Sequence, residues 1–158
     1  MFVLLIACGN PLRRDDGVAA EAVQEIRRIA SNVDIRLVHQ LAPELAAEFA
    51  GYSAIVLVDA DKAAGEVRIE KLGEQRASAA LSHHFHPAAV VDLARSLFDF
   101  HGDAFLCHIP AMDFRPGCGL TARGRRQSRR AVIAIGTLLE TLKRAHLTQA
   151  GELSTCAR

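Results

Sequence analysis

Continuous apolar runs predict strands that are covered on both faces. They occupy residues 2–8, 54–58 and 104–109, and the first two are rich in Val, Ile and Leu. Runs of this kind are typical of inner strands in a parallel sheet. Residues 33–37 alternate apolar and charged side chains, which predicts a half-exposed strand, and residues 67–69 predict an edge strand.

Helical spacing of apolar residues separates these strands. Residues 18–29 carry an apolar stripe, and Pro43 and Pro87 can each open a further helix. The last helix is predicted from about Thr121 to about His146. Strands that alternate with helices predict an α/β fold, a three-layer doubly wound sheet, mostly parallel and five-stranded, with helices on both faces.

Length and composition fit one compact domain. The chain has 158 residues, of which 50% are hydrophobic and 23% are charged, and this excludes intrinsic disorder. We expect a single domain over residues 1–146 and a flexible C-terminal tail over residues 147–158. A net charge of +1 is low for a dedicated nucleic-acid binder. No apolar run reaches the roughly 18 residues of a membrane span. Neither nucleic acid nor a membrane is therefore expected as a partner.

The cysteines indicate a reducing compartment. The chain has 4 cysteines, which form no C-x-x-C pair and fit no zinc module. The apolar stretch before Cys8 resembles a lipoprotein cleavage site, but it is too short for a signal peptide and has no basic start. We therefore expect a cytoplasmic protein.

Polar residues cluster where the predicted strands end. Asp15 and Asp16 follow the first strand, Asp59 ends the central strand, and residues 82–86 read S-H-H-F-H before a helix. In doubly wound sheets, functional groups collect beyond the carboxyl ends of the strands. Two carboxylates and an imidazole that converge there would suit a divalent transition metal such as zinc or nickel, with a coordination position left open.

Simpler interpretations remain open for these residues. An Asp pair before a helix is most often a helix cap, and several histidines together can be a solvated loop. Asp59 is harder to explain in this way, because a carboxylate at the rim of a buried sheet needs a partner. At Gly9 and Asn10 the sequence predicts a tight turn that the asparagine side chain stabilises. Dinucleotide, Walker and serine-hydrolase motifs are absent.

A basic cluster opens the last predicted helix. Its members are Arg123, Arg125, Arg126, Arg129 and Arg130. A solvated helix face is the favoured interpretation. Positive charge near a helix N-terminus opposes the macrodipole, which is a weak indication of a surface that steers an acidic protein partner.

Five short motifs resemble, in order, those of the hydrogenase maturation proteases. Residues 9–18 read G-N-P-L-R-R-D-D-G-V, and the family opens with G-N-x-L-x-x-D-(D/E)-G-(V/I). The others are H-Q-L-A-P-E-L at 39–45, V-L-V-D-A at 56–60, S-H-H-F-H-P-A-A at 82–89 and G-C-G-L-T at 117–121. The resemblance covers roughly residues 2–140.

The resemblance implies an endopeptidase that removes the C-terminal extension of a nickel-loaded [NiFe]-hydrogenase large subunit. The partner would be the large-subunit precursor, and the nickel would be the substrate's own, with zinc as another metal for the same site. The metal-binding trio of the family falls on Asp16, Asp59 and His83. Either Asp16 or Asp15 would act as a general base, or a metal-activated water would attack the peptide.

The resemblance also suggests which residues contact the substrate. Gly9, Asn10 and His84 are expected in that role, whereas His86 is the least favoured metal ligand because other members have Gly or Asp there. One departure concerns residues 108–116, which lack the paired glycines of close relatives. The backbone of this segment is therefore expected to follow a different path.

Two other functional classes remain open. One is a non-catalytic chaperone that binds nickel or the large subunit. The other is a receiver-like phosphoacceptor module, which also carries an acidic pair after its first strand and an Asp at the end of a central strand. Receiver domains need a lysine near the end of the last strand, where this chain has His108, Ile109 and Pro110.

Overall fold

A central sheet organises the fold. The structure is a computed structural model and describes residues 2–73 and 86–155. Its strands are β1 (Val3–Cys8), β2 (Val33–Val38), β3 (Ala54–Asp61), β4 (Arg68–Lys71) and β5 (Asp103–Pro110). They lie in the order β2-β1-β3-β5-β4, and only β4 is antiparallel to its neighbour. The prediction of a mostly parallel, five-stranded sheet is confirmed.

Helices cover both faces of the sheet. They are α1 (Val18–Ile29), α2 (Pro87–Leu97) and α3 (Ala122–Thr155). Two 3₁₀ segments, Arg14–Gly17 and Pro43–Phe49, are also present, and the second is the short helix expected after Pro43. Among the described residues, no helix is long and apolar enough to cross a membrane.

Alternate residues of the inner strands supply two separate cores. Leu5 and Val56 belong to the core under α1 and α3, whereas Leu4 and Leu57 belong to the core under α2 and the second 3₁₀ segment. Since successive side chains point to opposite faces of a strand, a strand buried on both faces must be apolar throughout. This explains the continuous apolar runs in the sequence.

Two elements extend beyond their predicted ends. Strand β3 continues through Asp61, because residues 59–61 pair with residues 108–110 of β5. Helix α3 continues past His146 to Thr155, so most of the expected tail at 147–158 is helical, and residues 156–158 lie outside the described residues. No proline interrupts residues 147–155, and helix formation there is not opposed by a missing amide.

The topology places a crevice between β1 and β3. Chain connections leave β1 toward β2 on one side, whereas β3 lies on its other side, so the strand order reverses at this point. The parallel register pairs Ala7 with Val58, which sets the loop after Cys8 beside Asp59. Ligands of open α/β sheets bind at such a switch point.

Removing a buried side chain from β3 should destabilise the protein. Leu57 is fully buried, so Leu57→Ala should lower the free energy of unfolding by about 2–5 kcal/mol through lost burial and a residual cavity. The control is Ile133→Ala, because Ile133 is 70% exposed and its loss should cost about 0.5 kcal/mol or less. Urea denaturation measures both, and equal losses would contradict this account of the core.

Candidate functional site

Two adjoining clefts open at the switch point, and Asp16 and Asp59 line both. One cleft, of about 570 Å³, extends toward Asn10 and His39. The other, of about 630 Å³, extends toward His108. The residues shared by both clefts are Arg13, Asp16, Asp59, His86 and Pro87. The structure therefore brings together two carboxylates that are 43 positions apart in sequence (59 − 16).

The turn after β1 holds Asp16 in place. Gly9 has a φ of +135°, and a Cβ at this position would overlap the carbonyl oxygen of Asp16, so glycine is required there. The Asn10 amide donates a hydrogen bond of 2.9 Å to Oδ2 of Asp16, and Asn10 Oδ1 accepts one of 2.9 Å from the Leu12 amide. The predicted tight turn is confirmed, and it fixes the carboxylate that faces the cleft.

Asp59 is a carboxylate in a partly dehydrated environment. Burial raises its pKa, the Ala60 amide opposes that shift through a hydrogen bond of 2.8 Å, and the negative charge of Asp16 adds to the rise. Two carboxylates that repel each other beside a cleft are stabilised by a cation placed between them. The donor chemistry of this pair therefore fits a divalent metal ion.

Asp15 has different surroundings from Asp16. It is 1% exposed and is not among the residues that line either cleft. Its Oδ1 accepts a hydrogen bond of 2.8 Å from the Thr121 amide, and its Oδ2 accepts one of 2.9 Å from the Thr121 hydroxyl. That hydroxyl also accepts from the Gly124 amide at 2.9 Å. Asp15 thus joins the turn after β1 to the start of α3.

The helix-cap interpretation of the Asp pair is wrong. Both residues lie in the 3₁₀ segment Arg14–Gly17, and the N-cap of α1 is Gly17, which makes no side-chain capping bond. The carboxylate of Asp15 reaches Thr121, and that of Asp16 reaches Asn10.

A second loop fixes the same turn from the other side. Nη1 of Arg14 lies 3.0 Å from Oδ2 of Asp113, Nη2 of Arg115 lies 2.7 Å from the same oxygen, and the Asp113 carbonyl accepts from the Asp15 amide at 2.9 Å. Hydrogen bonds from Arg115, with the charge of Arg14 nearby, hold the pKa of Asp113 well below its usual range. The contacts with Asp113 hold the Arg14 backbone in a left-handed conformation, with a φ of +46°, that residues other than glycine rarely adopt.

His108 lies beside Asp59 in the β3–β5 register and joins two acidic residues. Its Nδ1 is 2.9 Å from Oδ2 of Asp61, and its Nε2 is 3.2 Å from Oε1 of Glu70. Burial works against the charge of Asp61, but hydrogen bonds from the Ala63 amide and from His108 outweigh it and lower the pKa of Asp61. The imidazole therefore links β3, β4 and β5 at the edge of the site.

Of the three histidines in the predicted segment 82–86, the structure describes His86. His83 and His84 lie outside the described residues. His86 lines both clefts and caps α2, because its Nδ1 accepts from the Ala88 amide at 3.3 Å. When Nδ1 of His86 accepts a hydrogen bond, Nε2 carries the ring proton and acts as a donor. A protonated Nε2 cannot bind a metal, which agrees with the expectation that His86 is the least favoured metal ligand. Over residues 2–73 and 86–155, no three His, Cys, Asp or Glu side chains form a metal-binding group.

The cysteine in the cleft is not a nucleophile in this environment. Burial raises the pKa of the Cys8 thiol to about 12, and the charge of Asp59 adds to the effect. A thiol with such a pKa stays protonated at neutral pH, and the thiolate is the reactive form. Cys8, Cys107 and Cys118 are free thiols.

Sequence reasoning missed three residues at the site. Arg13 lines both clefts, His39 lines the first and His108 lines the second. His39 follows β2, and His108 lies near the end of β5, so the strand-end rule contained a signal for both. Arg13 is fixed by two contacts with residues distant in sequence. Its Nε donates a hydrogen bond of 3.1 Å to the Phe114 carbonyl, and its backbone forms a β-bridge with Gly117. No local sequence pattern indicates these contacts.

Several solved structures have this fold. The hydrogenase-maturating endopeptidase HybD from E. coli superposes with a TM-score of 0.70 at 19% identity, over 89% of this chain and 94% of that one. The [NiFe]-hydrogenase maturation protease HybD from Thermococcus kodakarensis gives 0.61 at 25% identity, over 87% and 99%. The maturation protease HycI from the same organism gives 0.69 at 19% identity, over 88% and 92%.

No protein-family model matches the sequence, and a search of the curated proteins finds no match. The structural similarity confirms the fold that the alternation of strands and helices predicted: this chain has the three-layer α/β fold of the hydrogenase maturation proteases.

Two glycines of α3 should respond in opposite ways to the same substitution. A Cβ on Gly124 would overlap Oδ1 of Asp15, so Gly124→Ala should disturb the Asp15–Thr121 contact and cost about 1–3 kcal/mol. Gly136 has open space around it, so Gly136→Ala should stabilise the protein by up to about 1 kcal/mol through helix propensity. Urea denaturation distinguishes the two, and stabilisation by both would contradict the role given to Asp15.

The Asp113 contacts should make stability dependent on pH in the acid range. The pKa of Asp113 is lower in the folded state than the value of about 3.9 in the unfolded chain. The contribution of this group is therefore complete above about pH 4 and is lost as the pH falls below that value. The stability difference between wild type and Asp113→Asn should shrink from pH 5 to pH 3, as measured by urea denaturation. Glu66→Gln removes an equal charge at an exposed side chain that forms no salt bridge within residues 2–73 and 86–148, and it controls for the lost charge. An unchanged stability difference between pH 5 and pH 3 would contradict the assignment.

Proposed function

We propose that this chain is an endopeptidase that removes the C-terminal extension from a nickel-loaded [NiFe]-hydrogenase large-subunit precursor. The observation that carries the proposal is the position of Asp16 and Asp59, which face the same clefts at the switch point of the sheet. The shared fold with HybD and HycI, which are named for hydrogenase maturation, supports it.

The carboxylate pair is proposed to recognise the nickel of the substrate. Repulsion between Asp16 and Asp59, together with the burial of Asp59, makes a cation between them favourable. His83 is proposed as the third ligand because the sequence resemblance assigns it to the trio. Carboxylate and imidazole donors also accept zinc, which is the other metal proposed for this site. Three protein ligands would leave coordination positions for the substrate's own groups.

Asp16 is the proposed general base for attack of water on the peptide. Its carboxylate faces the cleft, whereas both oxygens of Asp15 are engaged by Thr121. A base must lie within hydrogen-bond reach of the proton that it removes, and only a group in the cleft meets that condition. The proposed role of Asp15 is therefore to position the turn that carries Asp16.

The remaining cleft residues are proposed to bind the peptide. Arg13 and His86 present N–H donors to the same clefts as the carboxylates, which suits peptide carbonyl groups. Gly9 and Asn10 line the first cleft and are proposed to contact the substrate, together with His84. The proposed location is the cytoplasm, where the cysteines would remain reduced.

Neutralising either cleft carboxylate should stop processing without unfolding the protein. Asp16→Asn and Asp59→Asn should each slow cleavage of a purified nickel-loaded precursor by about 100-fold or more, because the base or the nickel contact is lost. Asp99→Asn removes an equal charge at a side chain that is 91% exposed and should process normally. Mass spectrometry follows the loss of the C-terminal peptide.

Two outcomes would contradict the proposal. Wild-type rates in Asp16→Asn and Asp59→Asn would exclude the carboxylate pair as the active centre. Tight binding of the precursor by the wild-type protein, with no cleavage after prolonged mixing, would indicate the non-catalytic chaperone instead.

A further inference from the structure

The first turns of α3 present an unusual charged surface. Five arginines occupy its exposed side: Arg123, Arg125, Arg126, Arg129 and Arg130. The opposite side is buried and consists of Gly124, Gln127, Ser128 and Ala131. We call the exposed side the arginine face. Its members alternate with the buried positions at helical spacing, so they cover the outward face of these two turns.

Intramolecular contacts do not neutralise the arginine face. No Asp or Glu occurs between positions 121 and 139. Within residues 2–73 and 86–148, none of the five arginines forms a salt bridge. Arg125 donates to the Leu120 carbonyl, and Arg130 is 3.5 Å from Oε1 of Gln127. Arg123 and Arg125 lie in the first turn of α3, where positive charge opposes the helix macrodipole, so helix stability does not account for these two residues.

The arginine face lies at the same edge of the sheet as the clefts, because α3 follows β5 and begins beyond the end of that strand, although none of the five arginines lines either cleft. Thr121, which immediately precedes α3, holds both oxygens of Asp15, and the next residue along the chain is Asp16 of the cleft. Arg13, which lines the cleft, forms a bridge with Gly117 in the loop that leads to α3. A folded protein substrate is wider than the peptide that enters the cleft, so it would extend over the edge of the sheet where α3 begins.

We propose that the arginine face docks an acidic surface of the protein substrate, and this inference rests on the proposed endopeptidase function. Long-range attraction between the two surfaces increases the rate of association and orients the peptide toward the cleft. A protein partner is favoured over a nucleic acid, because the adjoining clefts are lined by Asp16 and Asp59, which repel phosphate, and because the net charge of the chain is only +1.

The test compares two triple variants of the full chain. Arg123→Gln/Arg126→Gln/Arg130→Gln removes three charges from the arginine face. Arg27→Gln/Arg28→Gln/Arg144→Gln removes three exposed charges elsewhere, near the end of α1 and in the second half of α3. Association with the purified nickel-loaded precursor is measured by stopped flow between 20 mM and 500 mM salt, and steady-state processing gives kcat and KM. The melting temperature of each variant verifies folding.

The first variant should associate about tenfold more slowly at low salt and should lose most of its salt dependence, with a higher KM and an unchanged kcat. The control variant should resemble wild type. At 500 mM salt, where exposed charges are screened, all three proteins should process the nickel-loaded precursor at similar rates.

Other results would overturn the docking proposal. One is equal association rates and equal salt dependence for both folded triple variants. Another is a variant that loses binding to duplex DNA but keeps wild-type binding to the precursor, which would assign the face to nucleic acid. Arginine-dependent binding with no cleavage by wild type would refute the endopeptidase and keep the docking surface. Normal cleavage with no dependence on the arginines would refute the docking surface and keep the endopeptidase.

Discussion

The parallel pairing of β1 with β3 is the constraint from which the candidate site follows. It aligns the ends of two strands buried on both faces, so the loop after Cys8 and the carboxylate of Asp59 must share one edge of the sheet. Asp16 and Asp59 then line the same cleft, although no sequence pattern around either residue indicates that the other lies nearby. The cost is a pair of like charges in a partly dehydrated crevice, and a cation from the substrate would offset that cost.

Polar contacts around the site, one of them buried, keep this pair in position. Asp15 joins the turn after β1 to α3, and Asp113 holds the same turn from the loop that follows β5. Both contacts span about a hundred residues of sequence and act on the turn that carries Asp16. The stability of the fold and the geometry of the cleft are therefore coupled, since loosening either contact would displace the carboxylate in the cleft.

The sequence predicted the sheet well because the two faces of each inner strand are buried, which leaves an unmistakable apolar run. It predicted the strand-end carboxylates for the same reason, since a charge directly after such a run must lie at the sheet edge. The sequence resemblance assigned Asp16 to the metal trio but left the general base open between Asp15 and Asp16. These adjacent residues have the same chemistry, and only their contacts, such as that of Asp15 with Thr121, distinguish them. The end of α3 was also missed, because residues 147–155 lack a strong apolar stripe.

The central claim is that the carboxylate pair recognises nickel bound to a protein substrate and that cleavage of the peptide bond depends on this recognition. The most direct measurement mixes the purified wild-type protein with the extended large-subunit precursor in two forms, nickel-loaded and nickel-free, and follows the mass of each. The account predicts loss of a short C-terminal peptide from the nickel-loaded form and no change in the nickel-free form. Equal cleavage of both forms, or cleavage of neither with nickel loading verified, would contradict it.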